Sequence, residues 1–392
     1  MSPSKISPWP TFTTQEADVV REIILSNQVN YWTGTIGRSF EEEYAKWTGT
    51  TRAIALANGT LALDIALKAL GIGRGDEVIV TPRTFIASVS SVVTAGATPI
   101  FADVDRNSGN ISTDTIAAVI GPRTRAIIPV HLGGWPCDME GIMTLAEKHN
   151  LVVIEDCAQA HGAMVGDKMV GSIGDIGAWS FCQDKIMTTG GEGGMVTTSD
   201  ENLWSTMWSY KDHGKSWDAV YNREHPAGFR WLHESFGTNW RMLEVQAAIG
   251  RIQVARMKEW TMRRTHNALA LQEVLRNFPD AVRCPRPEAH FTHAYYRQYC
   301  YVDADGLKPD WTRDAIIEDI AKQGYPAFQG SCSEVYLEKA FDNTGWRPEK
   351  RMPVARELGE TSIMFLTHPT ITASELEGYC NAIRTTLEKA GR

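Results

Sequence analysis

No stretch of the chain runs to about 18 consecutive apolar residues, which excludes a transmembrane helix of ordinary length. The opening residues, Met1-Ser-Pro-Ser-Lys-Ile-Ser-Pro-Trp-Pro10, lack the apolar core of a signal peptide, and the expected location is the cytoplasm. Cysteine is sparse and scattered, at 137, 157, 182, 284, 300, 332 and 380. With no C-x-x-C pair and no His/Cys cluster at metal-ligand spacing, the expectation is a reducing compartment and no bound metal. A basic stretch is also missing. The formal net charge is -8, which argues against general nucleic-acid binding. There are no internal repeats, low-complexity tracts or long charge runs. What remains is an ordinary globular composition, 43% hydrophobic and 22% charged, in 392 residues. That length suits one large domain and a smaller one. Tryptophan alone is in excess, at 13, and core packing is sufficient reason for it.

Short β-rich runs alternate with helical patterns between about residues 50 and 200. The expected strands are Glu77–Val80, Pro99–Ala102, Ala126–Val130, Leu151–Ile154, Ala178–Phe181 and Met195–Thr198. Helical spacing over 61–70, 85–95 and 141–148 separates them. Strands divided by helices of this length imply a mainly parallel sheet covered on both faces. Ligands of such sheets bind at the carboxyl ends of the strands. From Glu244 to about Arg276 the pattern is continuously helical, as a helix connecting two domains would be. The rest, with an apolar run at Tyr299–Val302 and helical stretches at 315–322 and 373–389, reads as a small α+β domain. The expected division is a large α/β domain over 1–260 and a small α+β domain over 261–392.

The most informative residue is Lys185, in Ala178-Trp-Ser-Phe-Cys-Gln-Asp-Lys185 ahead of the glycine-rich Thr189-Gly-Gly-Glu-Gly-Gly194. A serine, a lysine five residues on and a glycine turn can hold a phosphorylated aldehyde cofactor. The lysine would form a Schiff base and the serine, Ser180, would bind the phosphate. A lone lysine is usually a solvated one, so the case depends on the other parts. Ala57-Asn-Gly-Thr60 precedes a helix, so Gly59 and Thr60 offer free N–H groups and a hydroxyl to an anion. The same residues also make an ordinary N-cap. Asp156 follows an apolar run in Ile154-Glu-Asp-Cys-Ala-Gln-Ala-His161, at the carboxyl end of a buried strand. There it can pair with a protonated pyridine nitrogen, or simply cap the next turn. Gln159 could reach a ring substituent, and Phe85 could stack on a ring or pack in the core. His161 reads as a ligand, a proton carrier or a structural histidine.

Taken in order, these segments resemble the DegT/StrS family of pyridoxal-phosphate-dependent sugar aminotransferases. The resemblance covers most of the chain. It includes Tyr31-Trp-Thr-Gly34, Phe40-Glu-Glu-Glu43, Ala57-Asn-Gly-Thr60, Gly75-Asp-Glu-Val78, Thr84-Phe85 and Phe101-Ala-Asp-Val-Asp105. It continues through Glu155-Asp-Cys-Ala-Gln-Ala-His-Gly-Ala163, Gly171-Ser-Ile-Gly-Asp175, Ser180-Phe181, Lys185 and Gly237-Thr-Asn-Trp-Arg-Met242. It implies the α/β type-I PLP aminotransferase fold and a homodimer with a shared active site. It implies pyridoxal 5′-phosphate as cofactor, with Lys185 as the Schiff-base lysine and Asp156 at the pyridine nitrogen. Phe85 would stack on the ring and Gln159 contact its oxygen side. Gly59, Thr60 and Ser180 would bind the phosphate, with Asn239 reaching it from the other subunit. Dehydratase relatives carry His in place of the lysine, so Lys185 favours transamination.

The chain departs from the family pattern at the extra glycine of Thr189–Gly194, at Cys182-Gln-Asp184, at Phe328–Ser333 and at Leu366–Pro369. The expected activity moves an amino group from L-glutamate to a nucleotide-linked keto-deoxysugar, for surface polysaccharide or amino-sugar biosynthesis. The Glu192-Gly-Gly194 turn favours a 4-keto over a 3-keto substrate. Gln183 keeps a cyclitol or other cyclic ketone open, and a non-catalytic regulatory member of the family is the alternative of another class.

Overall fold

The alternating apolar runs build a seven-stranded sheet in the computed structural model, which describes residues 4–392. Its strands are β1 (Arg52–Leu56), β2 (Glu77–Val80), β3 (Thr98–Phe101), β4 (Thr124–Ile128), β5 (Val152–Asp156), β8 (Ile176–Ser180) and β9 (Gly194–Thr198). A small ribbon of β6 (Met164–Val165) and β7 (Lys168–Met169) intervenes between β5 and β8. The strand order is β1-β9-β8-β5-β4-β2-β3. Neighbours from β8 to β3 are parallel, and β9 runs antiparallel to both β8 and β1. The six strands expected from sequence lie within two residues of their observed bounds. β1 has no counterpart among them, because an Ala-rich pentapeptide carries little strand propensity and owes its conformation to its pairing with β9.

Successive residues of each strand feed opposite cores, as the pleat requires. Ile79, Ile127, Val153 and Trp179 face a core shared with Phe40, Tyr44 and Phe181. Val78, Val80, Ile128, Ile154 and Ala178 face another, shared with Leu63, Ile65 and Val89. Helices α2 (Ile36–Thr48), α3 (Gly59–Ala69), α4 (Ala87–Thr94), α6 (Met139–His149) and α7 (Glu201–Lys211) pack on the sheet, while α1 (Thr14–Ser26) packs on the later helix over Glu244–Leu275, α5 (Thr113–Ala117) on α6 and α8 (Trp217–Tyr221) on α7. A sheet buried on both faces explains why its strands read as near-continuous apolar runs.

Helix α9 (Glu244–Leu275) is unbroken through residue 260 and touches both halves. Its early residues Ala247 and Met257 join the core beside β5 and β8, while Leu271, Val274 and Leu275 join a third core. That third core lies under an antiparallel sheet of β10 (Val282–Arg283), β12 (Arg297–Val302) and β13 (Ser362–Leu366). Helices α10 (Arg313–Lys322) and α12 (Ala373–Ala390) close it, with Ile6 from the N-terminal segment. β11 (Phe291–Thr292) pairs with β6, and α11 (Pro353–Thr361) leads into β13. The α/β fold with a small C-terminal α+β layer is the one the sequence implies. No helix among the described residues is long and apolar enough to cross a membrane.

Candidate active site

The carboxyl ends of β2, β5 and β8 open into one cleft of about 830 Å³, within the range of small-molecule sites. Gly59, Thr60, Phe85, Asp156, Gln159, Ser180 and Lys185 all line it. Seven of the eight residues that the resemblance assigns to the cofactor are therefore brought together. Asn239 is not: it is exposed, and its backbone pairs with that of Asp212 outside the cleft.

The anion cradle forms because α3 starts where β8 and β9 can reach it. The Asn58 side chain accepts the Leu61 N–H at 3.0 Å and opens the helix. A Cβ at Gly59 would lie 2.6 Å from the Ser180 Cβ, and one at Gly194 only 2.2 Å from the Asn58 carbonyl oxygen. Glycine at both places lets the helix N-terminus lie directly on the ends of the two strands. The first N–H groups of α3, the Thr60 hydroxyl and the Ser180 hydroxyl then share one corner, which suits an anion.

Asp156 ends β5 and is 5% exposed. Its Oδ2 accepts the Ser88 hydroxyl at 2.7 Å, Ser88 in turn contacts the Thr84 hydroxyl at 2.8 Å, and Oδ1 accepts the Ala158 N–H at 3.1 Å. Burial raises its carboxyl above the usual range, against the opposing pull of Ser88, Ala158, Lys185 and His131. Beneath it, His131 Nδ1 accepts the Cys137 N–H at 2.9 Å, so Nε2 carries the hydrogen and donates to Glu155 at 3.1 Å. His131, Glu155 and Cys157 stand close enough for a shared metal ion. However, Glu155 also accepts the N–H groups of Ile173 and Gly174 at 2.9 and 2.7 Å, so its oxygens are already engaged.

Phe85 is 69% exposed, an apolar ring presented to the cleft with no core to fill. Gln159 turns its carbonyl oxygen to the Gly133 N–H at 2.8 Å, which leaves its NH₂ end for the cleft. Lys185 is held through its backbone, whose carbonyl accepts the Trp9 indole N–H at 2.8 Å. Its Nζ lies 3.8 Å from Asp184 and over the Tyr296 ring at 5.4 Å from the centroid. His161 is outside the cleft, packed on Trp179 and Phe181 with neither ring nitrogen bonded to the described residues. Burial, with Lys185 and Arg264 nearby, lowers it to about 3, so it is an uncharged core residue. Gln183 is exposed and also outside the cleft lining.

Sequence reasoning marked the opposite wall only in part. Tyr296 and Arg297 enter from β12 and its approach, and Gly330, Ser331 and Cys332 come from a loop of the C-terminal half. The Tyr296 hydroxyl donates to Asp184 Oδ2, and Arg297 Nη2 lies 3.6 Å from the same oxygen. Burial pushes the Asp184 carboxyl up, but Lys185, Tyr296 and Arg297 together hold it below the usual range. The departures from the family pattern at Cys182–Asp184 and Phe328–Ser333 marked parts of this wall in the sequence, and nothing marked Tyr296 or Arg297.

A sequence model of the DegT/DnrJ/EryC1/StrS aminotransferase family matches residues 10–384. The crystal structure of an aminotransferase from Psychrobacter cryohalolentis is 62% identical, with a TM-score of 0.96 over 97% of this chain and 98% of that one. GDP-perosamine synthase of Caulobacter vibrioides is 36% identical over 364 residues, 91% of this chain and 92% of the relative. The UDP-N-acetyl-3-dehydro-alpha-D-glucosamine 3-aminotransferase of Acidithiobacillus ferrooxidans is 36% identical over 359 residues, 90% of this chain and 89% of the relative.

Proposed function

The chain belongs to the DegT/DnrJ/EryC1/StrS aminotransferase family, and from that premise we propose that it transfers an amino group from L-glutamate to C4 of a nucleotide-linked keto-deoxysugar. The observation that carries this reading is the single cleft in which an anion cradle, a buried strand-end carboxylate, an exposed aromatic ring and a lysine converge. The nucleotide link finds support in two relatives whose names carry GDP and UDP. One of those names specifies a 3-dehydro sugar, so the preference for C4 rests on the Glu192-Gly-Gly194 turn, where Glu192 lines the cleft. The product would enter surface polysaccharide or amino-sugar biosynthesis in the cytoplasm.

The cofactor of this reading is pyridoxal 5′-phosphate, and the residues present fit it. A Cβ at Gly59 would fill the very corner that a phosphate needs, and the Phe85 ring lines the cleft with 69% of its surface exposed. When bound, this group supplies a cationic ring that accepts electrons from the substrate carbon. Gly59, Thr60 and Ser180 would bind its phosphate, with Asn239 of a second copy completing the site in a homodimer. Asp156 would pair with the ring N–H⁺. A buried carboxyl raised by desolvation stays ionised most readily beside such a cation. Phe85 would cover one ring face, and the Gln159 NH₂ would donate to the ring oxygen. Lys185 would hold the aldehyde carbon at rest and, once released, carry the proton to and from the substrate carbon at Nζ.

An absorption spectrum of the purified protein, before and after L-glutamate, tests cofactor and donor together. A yellow protein that bleaches with glutamate is the expected result, and a colourless protein indifferent to added pyridoxal 5′-phosphate overturns the reading. Parallel turnover assays with 4-keto and 3-keto nucleotide sugars then decide the carbon.

A further inference from the structure

Beside Lys185 lies a surplus of buried positive charge. Arg297 is 8% exposed; its Nη1 donates to the Tyr296 carbonyl at 3.0 Å, and its Nε has no partner among the described residues. Behind it Arg264 is fully buried, and none of its three guanidinium nitrogens has a partner among the described residues. Arg264 rests over the Trp9 ring, 5.0 Å from the centroid. His368 stacks on the same indole at 6.1 Å and remains uncharged, lowered to about 3 by burial and by the two arginines. Against these cations stands one carboxylate within ion-pair distance of Lys185 or Arg297, that of Asp184. Its side chain is 56% exposed.

Buried charges ordinarily find partners, and a guanidinium with free N–H groups suits a carboxylate above other partners. Asp184 already shows what fits. One of its oxygens faces the Lys185 amine at 3.8 Å and the other faces Arg297 at 3.6 Å. An α-amino acid carries its carboxylate on the carbon that bears the amine, so a donor whose amine reacts at Lys185 brings that carboxylate toward the guanidinium Asp184 now faces. We propose that Arg297 is the receptor for the α-carboxylate of the amino donor, and that Asp184 occupies the receptor at rest and turns to solvent when the donor arrives. The proposal rests on the donor being L-glutamate, as argued above. The acceptor's diphosphate is a poorer match, because it lies several bonds from the carbon that must reach Lys185. Tyr296 is shared between the two states: its hydroxyl donates to Asp184 and can donate to the incoming carboxylate.

The test is the calorimetric dissociation constant of 2-methyl-L-glutamate, which has no α-hydrogen to lose, for the cofactor-loaded protein. Arg297→Gln should weaken binding by about ten- to a hundredfold, the usual range for losing a charge-assisted hydrogen bond. Arg297→Lys should recover part of the loss. Asp184→Asn removes the resident competitor and should tighten binding several-fold, an effect a purely structural Asp184 would not produce. Circular dichroism and the cofactor's absorption confirm that each variant is folded and loaded. A loaded Arg297→Gln protein that binds within twofold of wild type overturns this proposal alone, as does an Asp184→Asn protein weakened like Arg297→Gln. A loaded wild-type protein with no affinity for the analogue overturns the donor assignment as well.

Discussion

The two walls of the cleft are built on opposite principles. On the large-sheet wall the polar groups have settled partners: Asp156 is bonded to Ser88 and Ala158, Gln159 to Gly133, and Asn58 to Leu61. On the facing wall the charges lean on one another. Arg297, Tyr296 and Lys185 share the carboxylate of Asp184, and Arg264 behind them has no partner among the described residues. A fully satisfied network fixes geometry, whereas a shared and half-exposed carboxylate can be exchanged for another. The contrast suits a reaction in which one group stays bound while donor and acceptor take turns.

The largest effect should come from removing the residue between the walls. Lys185→Ala should reduce amino transfer from L-glutamate by on the order of 10³-fold or more, since it deletes the group that carries the proton. Single-turnover absorbance would show it, together with loss of the lysine-bound yellow form. A variant that still cycled with glutamate would move the chemistry to another residue. Asp156→Asn comes next and tests the fixed wall. It should keep the cofactor yet lose about 10²-fold in rate, the usual scale for removing one preorganised electrostatic partner. Wild-type rates with bound cofactor would show that the carboxylate has no part in the ring's electronics.

These walls also differ in how they are written in the sequence. The fixed wall is local: Asp156 closely follows the apolar run Leu151–Ile154, and Gly59 and Thr60 stand just ahead of the helical spacing over 61–70, so period and position announce them. The opposite wall is long-range. Tyr296 meets Asp184 across 112 residues, and nothing in Ala294–Tyr299 sets it apart from an ordinary edge of a small sheet. The helix α9 is legible for the same reason as the fixed wall, a sustained helical period over Glu244–Leu275. His161 shows the limit of residue type alone: only its packing on Trp179 and Phe181 makes it a core residue.

A milder probe of the fixed wall is Phe85→Ala. The ring is 69% exposed in the protein, so folding stability should change by less than about 0.5 kcal/mol. Cofactor affinity should fall by about 0.5–1.5 kcal/mol, the worth of one aromatic contact. Thermal melts without cofactor and titrations of pyridoxal 5′-phosphate separate the two. A large loss of stability with unchanged affinity would make Phe85 a packing residue.

The smallest effect sets the two carboxylates directly against each other. Burial leaves Asp156 with a raised pKa in the folded protein. The native state therefore holds this proton more tightly than the unfolded chain, and stability falls as pH climbs from the usual carboxylate range to the raised value. Asp184 has the opposite sign, since Lys185, Tyr296 and Arg297 outweigh its burial and leave a lowered pKa. Its contribution is present above the unfolded value and is lost as pH falls through the folded one. In cofactor-free protein, Asp156→Asn should accordingly gain on wild type as pH rises through its window. Asp184→Asn should show a deficit at neutral pH that closes on acidification. Screening at a side chain that is 56% exposed keeps the second difference small. Urea midpoints from about pH 3 to about pH 7 would record both. If the two variants shifted in the same direction, the walls would share one electrostatic character. Asp184 would then be a fixed part of the site, and the exchange of one carboxylate for another would lose its physical basis.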